Sequence, residues 1–175
     1  MSTKNCVPFK ITVSGREIEA FIEESDWEYV CNSLSPKTGY ERVDQGKEYW
    51  CVCADGYPDD QVEEMCNIDI KAYDAANYYS SQEVAENNAR ADKLMRQLRR
   101  FAVEHRKNEL DWNTYTQGKW AIFYSYENDR LQSCDSYMSK EAFSIYFDTE
   151  ETAELAIETF HDELIWYFTE YKDSL

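Results

Sequence analysis

Three cysteines have the chemistry and spacing to suggest a metal site. Cys51 and Cys53 are two residues apart and point to the same face of a strand, and Cys66 follows in the next segment. Three thiolates could hold zinc if Cys31, Cys6 or a histidine completed the set. The chain has no CxxC pair, however, and small buried side chains explain the cysteines more simply. We therefore expect no cofactor, with zinc at Cys51, Cys53 and Cys66 as the alternative.

Carboxylates form two dense groups. The first follows the Asp55-Gly56 turn and consists of Asp55, Asp59, Asp60, Glu63 and Glu64. The second lies near the C-terminus and consists of Glu150, Glu151, Glu154 and Glu158. The first group lacks the alternating acids, glycine and distal glutamate of a calcium loop, so we interpret it as a solvated acidic loop. Both groups are predicted to contact a partner protein.

Positive charge is concentrated in one stretch of the chain. Residues 90–107 contain seven basic and two acidic residues. This stretch could be the phosphate-binding helix of a DNA-binding protein. We favour a structural role, in which it neutralises acidic neighbours or supports a dimer, because nucleic-acid-binding domains are usually basic throughout.

Signatures of catalysis are lacking in the sequence. His105 and His161 are the only histidines, and both fall in predicted helices. No serine or cysteine has a recognisable nucleophile setting, and there is no glycine-rich phosphate loop. We therefore expect a protein that is not an enzyme.

An internal repeat organises the elements that carry these residues. Residues 78–86 return 68 positions later as residues 146–154. Each copy follows an aromatic-rich strand pattern, at 49–54 and at 120–126, and each opens a helical pattern. Such a repeat predicts two tandem β–β–α units. One unit alone leaves its sheet half covered, whereas two units give both helices a common core.

The remaining elements follow from local patterns. Alternating apolar residues around Ser14-Gly15 predict an N-terminal hairpin, and the Ser25 to Glu28 capping box predicts a short helix to about Leu34. In the first unit, the second strand is expected between Ile68 and Tyr79. The following helix should open with a capping box at Ser80 and Glu83 and run to Lys107.

In the second unit, residues 142–147 should form the second strand. A helix capped by Asp148 and Glu151 should then continue through Phe168. The predicted fold class is therefore α+β: an N-terminal β-hairpin followed by two tandem β–β–α repeat units that pack two long helices on antiparallel sheet. We divide the chain into 1–44, the first unit 45–107, a connector 108–118 and the second unit 119–175, expected to form one compact fold.

Composition limits the possible partners. The formal net charge is −17, from 35 acidic and 18 basic residues. Such a surface repels nucleic acids and anionic membranes, and favours solubility and basic partner surfaces. The beginning of the chain has no secretory signal pattern, and no apolar run is long enough to span a bilayer. We expect a cytoplasmic protein with reduced cysteines.

Several stretches carry a family resemblance. Residues 77–86 resemble a signature of uncharacterised small proteins from phages, prophages and mobile elements of Firmicutes. In that group an Asn–aromatic–aromatic step precedes a helix start rich in glutamate. Residues 98–102, 110–122 and 145–157 are similar to the same group, so that the resemblance covers roughly residues 40–171. The cysteine content and the hairpin before Glu24 depart from its commoner members.

The resemblance implies a setting rather than catalytic residues. Small acidic proteins of such elements resemble inhibitors of host defence nucleases, including anti-CRISPR proteins. It implies a non-enzymatic binding protein in the host cytoplasm that blocks DNA or guide loading on a nucleic-acid-targeting defence protein, with a Cas9-type nuclease as the leading candidate. The net charge of −17 predicts no direct contact with nucleic acid or membrane. The alternatives are a zinc-containing regulatory or interaction protein, and a DNA-binding phage accessory protein that uses residues 90–107.

Overall fold

The computed structural model describes residues 6–13, 15–34, 37–136, 139–142 and 144–171, and the chain divides into two units between Thr38 and Gly39. In the first unit, strands β1 (Cys6–Val13) and β2 (Arg16–Glu23) form an antiparallel hairpin in which Cys6 faces Glu23. This confirms the predicted N-terminal hairpin. The division falls before the expected boundary at residue 44.

Helix α1 (Glu24–Leu34) follows β2 directly. Its predicted end at Leu34 is confirmed. Its predicted capping box at Ser25 and Glu28 is wrong, because the helix begins at Glu24 and Ser25 therefore lies inside it. The Trp27 ring packs 5.7 Å from the ring of Phe9 in β1, which joins the helix to the hairpin.

The second unit begins with another antiparallel hairpin, formed by β3 (Glu48–Val52) and β4 (Pro58–Val62). The strand predicted around 48–54 is confirmed. The predicted acidic loop is wrong for its central part, because Pro58–Val62 pairs with β3 along its whole length. Gly56 closes the turn with a φ of 87°, a left-handed backbone angle that favours glycine.

Helices α2 (Asn67–Asp74) and α3 (Gln82–Glu104) follow this hairpin. The predicted strand after Ile68 is wrong. Asp69 accepts hydrogen bonds from the Cys66 and Glu64 N–H groups, at 3.0 and 2.9 Å, and so caps the first turn of a helix instead. Ile68 and Ile70 are exposed on this helix, so the local cap prevails over the β propensity of isoleucine.

A third hairpin consists of β5 (Lys119–Ser125) and β6 (Arg130–Ser136), and two helices follow it, α4 (Glu150–Thr159) and α5 (His161–Thr169). The strand predicted at 120–126 is confirmed. The single helix predicted through Phe168 is wrong. The backbone leaves the helical region at Phe160, with φ −114° and ψ 20°, and the Phe160 ring packs edge-on against Phe101 at 5.5 Å.

Each of these two hairpins gains one further backbone pair. Trp50 exchanges two hydrogen bonds with Tyr79, and Trp120 exchanges two with Phe147, at 2.8 to 2.9 Å. The strand predicted at 142–147 is therefore wrong except at its last residue. Immediately afterwards the chain enters α3 and α4, so these bridges fix where both helices begin.

The helix starts differ by one residue from the predicted capping boxes. The Ser81 hydroxyl accepts from the Val84 N–H in α3, and the Thr149 hydroxyl accepts from the Thr152 N–H in α4. Ser80 and Asp148 are therefore not the caps, and Glu83 and Glu151 do not take the capping-box position. From these starts, α3, α4 and α5 build one apolar core. It contains Leu94, Leu98, Phe101, Ala102, Phe147, Ala153, Ala156 and Leu164.

The structure is thus a mixed α+β protein with three small two-stranded antiparallel sheets and five helices in its described parts. In those parts, no helix is long and apolar enough to cross a membrane.

Candidate protein-interaction groove

The acidic segment of the β3–β4 hairpin divides into a surface part and a buried part. Asp55, Asp59, Asp60 and Glu64 are exposed. Asp59 and Asp60 are adjacent in β4, so their carboxylates leave opposite faces of the strand. These four carboxylates keep the position on the surface that the sequence predicts.

Glu63 belongs instead to the interior, with 0% of its surface exposed. Its carboxylate accepts hydrogen bonds from the Arg42 guanidinium at 2.9 and 3.1 Å, from the Tyr78 hydroxyl at 2.9 Å and from the Met65 N–H at 2.8 Å. The hydrogen bond from Arg42 lowers the pKa of Glu63, although burial opposes this shift. The expectation that Glu63 lies in a solvated loop is wrong, and its carboxylate is already fully engaged within the protein.

A second buried carboxylate completes this network. Asp69 accepts a hydrogen bond from the Tyr49 hydroxyl at 2.9 Å, and the rings of Tyr49 and Tyr78 stack with centroids 3.9 Å apart. Burial raises the pKa of Tyr78 to about 12. For Asp69, burial opposes ionisation, yet hydrogen bonds from Cys66, Tyr49 and Glu64 lower its pKa to about 2. Both hydroxyls thus stay protonated and donate to ionised carboxylates at neutral pH.

The carboxylates of α4 form an exposed row. Glu150, Glu154 and Glu158 are separated by four residues each, so they follow one face of the helix at intervals of about 6 Å. Glu154 also accepts a hydrogen bond from the Ser133 hydroxyl of β6. Glu151 is exposed beside this row, and its pKa is lowered by its own backbone N–H and then by the Thr149 hydroxyl.

A groove of about 1030 Å³ lies between the β3–β4 turn and the end of α4, and Glu158 is the residue of the two predicted acidic groups that lines it. One wall is the β3–β4 turn at Tyr57, another is α3 from Glu86 to Gln97, and the third is the junction of α4 and α5 from Glu158 to Glu163. Glu158 closes the carboxylate row of α4, and Pro58 in the turn precedes Asp59 and Asp60. The groove thus links surfaces that lie about 100 residues apart in sequence.

The charged groups in the groove are mainly carboxylates. Glu86, Glu158, Asp162 and Glu163 line it, together with Arg90 and Lys93. The Arg90 guanidinium is fixed by two hydrogen bonds to Glu163, at 2.8 and 3.1 Å, and its carbon atom lies 3.9 Å above the ring of Trp166. Arg90 is therefore neutralised within the protein, as the structural interpretation of residues 90–107 predicts for part of that stretch.

An exposed aromatic ring stands at one edge of the groove. Tyr57 is 63% exposed, and the Lys93 ammonium lies 5.7 Å from its ring centroid. The Tyr57 backbone N–H donates to the Asp55 carboxylate, which holds the turn that presents the ring. Tyrosine on a rigid turn is a common anchor in protein interfaces. Tyr57 is not among the residues predicted from the sequence to contact a partner, although the Asp55-Gly56 pair immediately before it marks an exposed turn.

The cysteines do not assemble a metal site in the described part of the chain. Cys51, Cys53 and Cys66 are free thiols there, and no group of three histidine, cysteine or acidic side chains could hold a metal ion. Burial, followed by the neighbouring Cys53, raises the pKa of Cys51. This shift disfavours the thiolate that zinc binds.

The two histidines have structural surroundings. His105 ends α3, where its Nδ1 lies 3.0 Å from the Phe101 carbonyl oxygen and its ring stacks on Phe101 at 3.9 Å. His161 begins α5 beside Asp162. Both histidines thus lie at helix ends, and His161 also lines the groove.

No protein-family model matches the chain, and comparisons with curated proteins and with solved structures give no match.

Proposed function

We propose that this protein is a non-enzymatic, phage- or prophage-encoded acidic binding protein that inhibits a host nucleic-acid-targeting defence protein. The leading candidate partner is a Cas9-type nuclease, and the place of action is the host cytoplasm. One observation carries the proposal: the groove at Tyr57 combines an exposed aromatic anchor with carboxylates that outnumber the cations around it.

The charge distribution supports a basic partner surface. Glu158, the last residue of the α4 row, lines the groove, and Pro58, which precedes Asp59 and Asp60 in β4, lines another side of it. A cleft that holds nucleic acid presents arginine and lysine side chains, which form their strongest hydrogen bonds with carboxylates and phosphates. Carboxylates in this arrangement would occupy the cleft and compete with the DNA or the guide that it normally binds.

The exposed ring of Tyr57 supplies affinity that exposed charges alone do not give. Attraction between exposed charges is screened over about 8 Å at physiological salt, so charge alone gives fast but weak association. A tyrosine that becomes buried at the centre of an interface supplies affinity that salt does not screen. Tyr57 therefore gives the proposed interface its short-range component, and the surrounding carboxylates give it long-range steering.

We propose further that two tandem repeat units underlie the second structural unit. The bridges at Trp50 and Trp120 and the caps at Ser81 and Thr149 occur at matching places of segments 48–104 and 119–169. Duplication of a hairpin followed by a helix accounts for this correspondence. An experimental structure in which the two segments superpose poorly over the hairpin, the bridge residue and the helix start would contradict it.

Inhibition is best tested by the order of addition. The protein is mixed with a Cas9-type nuclease before guide RNA, after guide RNA, or after target DNA, and cleavage of the target is measured. Competition for the cleft predicts inhibition only when the protein is added before target DNA. Full cleavage at every order of addition, across nucleases of the natural host, would overturn the proposed function.

Matched variants locate the inhibitory surface. D59N/D60N/E64Q and E150Q/E154Q/E158Q each remove three exposed negative charges from the two acidic groups. E17Q/E19Q/E127Q removes the same number of exposed charges from other parts of the sequence. We expect the first two variants and Y57A to weaken inhibition and the third to retain it. Equal loss in all three charge variants would indicate a non-specific effect of net charge.

The DNA-binding alternative has a direct test. Within residues 90–107, Arg90 and Arg100 form ion pairs with Glu163 and Glu104. The other five cations are exposed: Lys93, Arg96, Arg99, Arg106 and Lys107. An electrophoretic shift with duplex and single-stranded DNA at physiological salt would favour a DNA-binding accessory protein. We expect no shift, because the net charge of −17 opposes the approach of a polyanion.

A further inference from the structure

A second, smaller pocket has the opposite electrostatic character to the groove. It has a volume of about 240 Å³ and lies where α3 ends, between that end, the connector at Trp112 and the segment that leads to the bridge residue Phe147. Its charged lining residues are Arg99, Arg106 and Lys140, all cations. In a chain with 35 acidic and 18 basic residues, a pocket lined by cations without a lining carboxylate is an exception that calls for an explanation.

None of the three cationic side chains forms an ion pair or a hydrogen bond with the rest of the described chain. Other cations do: Arg42 pairs with Glu63, Arg90 with Glu163 and Arg100 with Glu104. Arg99, Arg106 and Lys140 have no such partner within the described ranges, and all three are exposed to solvent. Their hydrogen-bond donors are thus available to a ligand.

Two nearby features oppose an anion, and neither cancels the cations. The last carbonyl groups of α3 carry a partial negative charge of about half a unit. Two neighbouring acids do not line the pocket: Glu141, which accepts a 3.4 Å hydrogen bond from the Ser144 hydroxyl, and Asp148, which accepts from the Lys107 and Asn108 N–H groups at 2.8 Å. Three full positive charges outweigh these two contributions.

The aromatic wall of the pocket is held in place. Trp112 packs edge-on against Tyr146, with centroids 4.8 Å apart, and the Tyr146 hydroxyl accepts a hydrogen bond from the Glu141 N–H. Lys140 lies 5.7 Å from the Trp112 ring centroid, and the buried Lys119 lies 5.5 Å from it. These contacts fix the indole and place the Lys140 ammonium at the pocket, so little ordering is required when a ligand binds.

We infer that this pocket binds a small phosphate monoester that carries a planar ring, such as a nucleoside 5′-monophosphate. The planar guanidinium groups of Arg99 and Arg106 suit the oxygens of a phosphate dianion, and Lys140 adds a third donor. The indole and the apolar side chains of Val103 and Ile145 suit the ring. A volume below the usual range of about 300–1000 Å³ admits the phosphate and part of the ligand, and excludes a folded polypeptide segment.

The ligand is small rather than polymeric because the surface around the pocket belongs to a strongly acidic chain. A duplex or a long single strand would bring many phosphates against the carboxylates that dominate the chain. A single phosphate enters the pocket without meeting them. The inference does not depend on the proposed inhibitory function, since its residues lie outside the groove.

The test is a titration of the full chain at low ionic strength, followed by calorimetry and by the indole N–H signals in NMR spectra. The probes are adenosine monophosphate, inorganic phosphate and adenosine. We expect adenosine monophosphate to bind most tightly, inorganic phosphate more weakly, and adenosine not detectably. Equal binding of inorganic phosphate and adenosine monophosphate would overturn the role of the aromatic wall. No binding of adenosine monophosphate at millimolar concentration would overturn the site.

Paired variants tie the binding to the pocket. R99Q/R106Q should weaken adenosine monophosphate binding at least about tenfold, because hydrogen bonds to charged groups are lost. R96Q/R100Q removes two exposed charges from the same helix outside the pocket and should bind as the unaltered protein does. K140Q, in a surface segment, gives a second test should R99Q/R106Q fail to fold. Binding that neither R99Q/R106Q nor K140Q reduces would place the ligand elsewhere and contradict the inference.

Discussion

The segments 48–104 and 119–169 share a hairpin, a bridge residue and a capped helix, but they bury different charged groups. In the first segment, the buried carboxylates Glu63 and Asp69 accept hydrogen bonds from Tyr78 and Tyr49. In the second, Lys119 is 0% exposed and its ammonium donates to the Thr114 carbonyl oxygen at 3.0 Å.

The aromatic pairs near the two hairpins are arranged alike, but the cations beside them differ in their partners. Tyr73 stands edge-on to Tyr78 as Trp112 does to Tyr146, and in both places a cation lies near the outer ring. Arg42, which precedes the first segment in sequence, is neutralised by Glu63, whereas Lys140 has no carboxylate partner within the described chain. A closed polar network therefore lies beside the first hairpin, whereas Lys140 of the second segment joins Arg99 of α3 and Arg106 in a cationic pocket.

The largest effect is expected when the closed network is opened. E63A leaves the Arg42 guanidinium and the Tyr78 hydroxyl without their acceptor, so the free energy of unfolding should fall by about 3–5 kcal/mol. E64A, next to it but exposed, should change that energy by no more than about 0.5 kcal/mol. Urea unfolding of both variants measures the difference. Similar values for the two would show that Glu63 is not a central part of the interior.

A smaller effect, with a characteristic pH dependence, is expected at Asp69. D69N should cost about 1–3 kcal/mol, since an amide replaces a carboxylate that accepts three hydrogen bonds. The pKa of Asp69 is about 2 in the folded protein and about 3.9 in an unfolded chain, so the unfolded state binds the proton first. The stability it contributes is present above about pH 4 and is lost as the pH falls towards 2.

Unfolding of the unaltered protein and of D69N at a series of pH values separates this contribution from that of the other acids. The difference between the two proteins should shrink as the pH falls through that window. A difference that stays constant down to pH 2 would contradict the lowered pKa of Asp69.

The helix caps should show a smaller contrast between the segments. T149A should cost about 0.5–2 kcal/mol, as is usual when a capping hydroxyl is removed. S81A should cost less, because the Ser81 hydroxyl lies 3.5 Å from the N–H that it caps, against 3.2 Å for Thr149. Thermal unfolding of the two variants decides the order, with T159S as a control inside α4. A larger loss of stability in S81A than in T149A would show that these hydrogen-bond distances do not determine how much each cap contributes.

Much of the fold could be predicted because it depends on local patterns. The alternation in β1 and β2 and the aromatic run of β3 predict strands, and the repeated residues before Gln82 and Glu150 place helices within two residues of their observed starts. The capping residue was misplaced by one position in both helices because Ser80 and Ser81, like Asp148 and Thr149, are both good caps. The choice depends on the bridges at Tyr79 and Phe147, which are contacts distant in sequence.

What could not be predicted depends on distant or competing contacts. Strand β4 contains Pro58, Asp59 and Asp60, which have low β propensity, and it forms because β3 pairs with it. The burial of Glu63 requires Arg42 and Tyr78, neither of which is near it in sequence. The groove requires three elements whose proximity no periodicity reveals. The exposed carboxylates can be recognised from their clustering in the sequence, because an acid without a partner remains in solvent.

The smallest effect on stability is expected for the exposed carboxylates Asp59, Asp60 and Glu64. These residues also bear most directly on the proposed function. D59N/D60N/E64Q should leave the free energy of unfolding within about 0.5 kcal/mol of that of the unaltered protein. E17Q/E19Q/E127Q should also leave the free energy of unfolding within about 0.5 kcal/mol of that of the unaltered protein. The two variants therefore provide folded proteins of equal net charge that differ in where the charge was removed.

The rate of association with a Cas9-type nuclease tests the central claim most directly. The rate constant is measured for the unaltered protein and for these two variants over a salt series from about 50 to about 500 mM. The account predicts a rate constant that falls steeply with salt, while dissociation changes little. At low salt, D59N/D60N/E64Q should associate more slowly than E17Q/E19Q/E127Q. Association independent of salt, or equal rates for the two variants, would contradict the claim that the carboxylates beside the groove guide this protein to a basic partner.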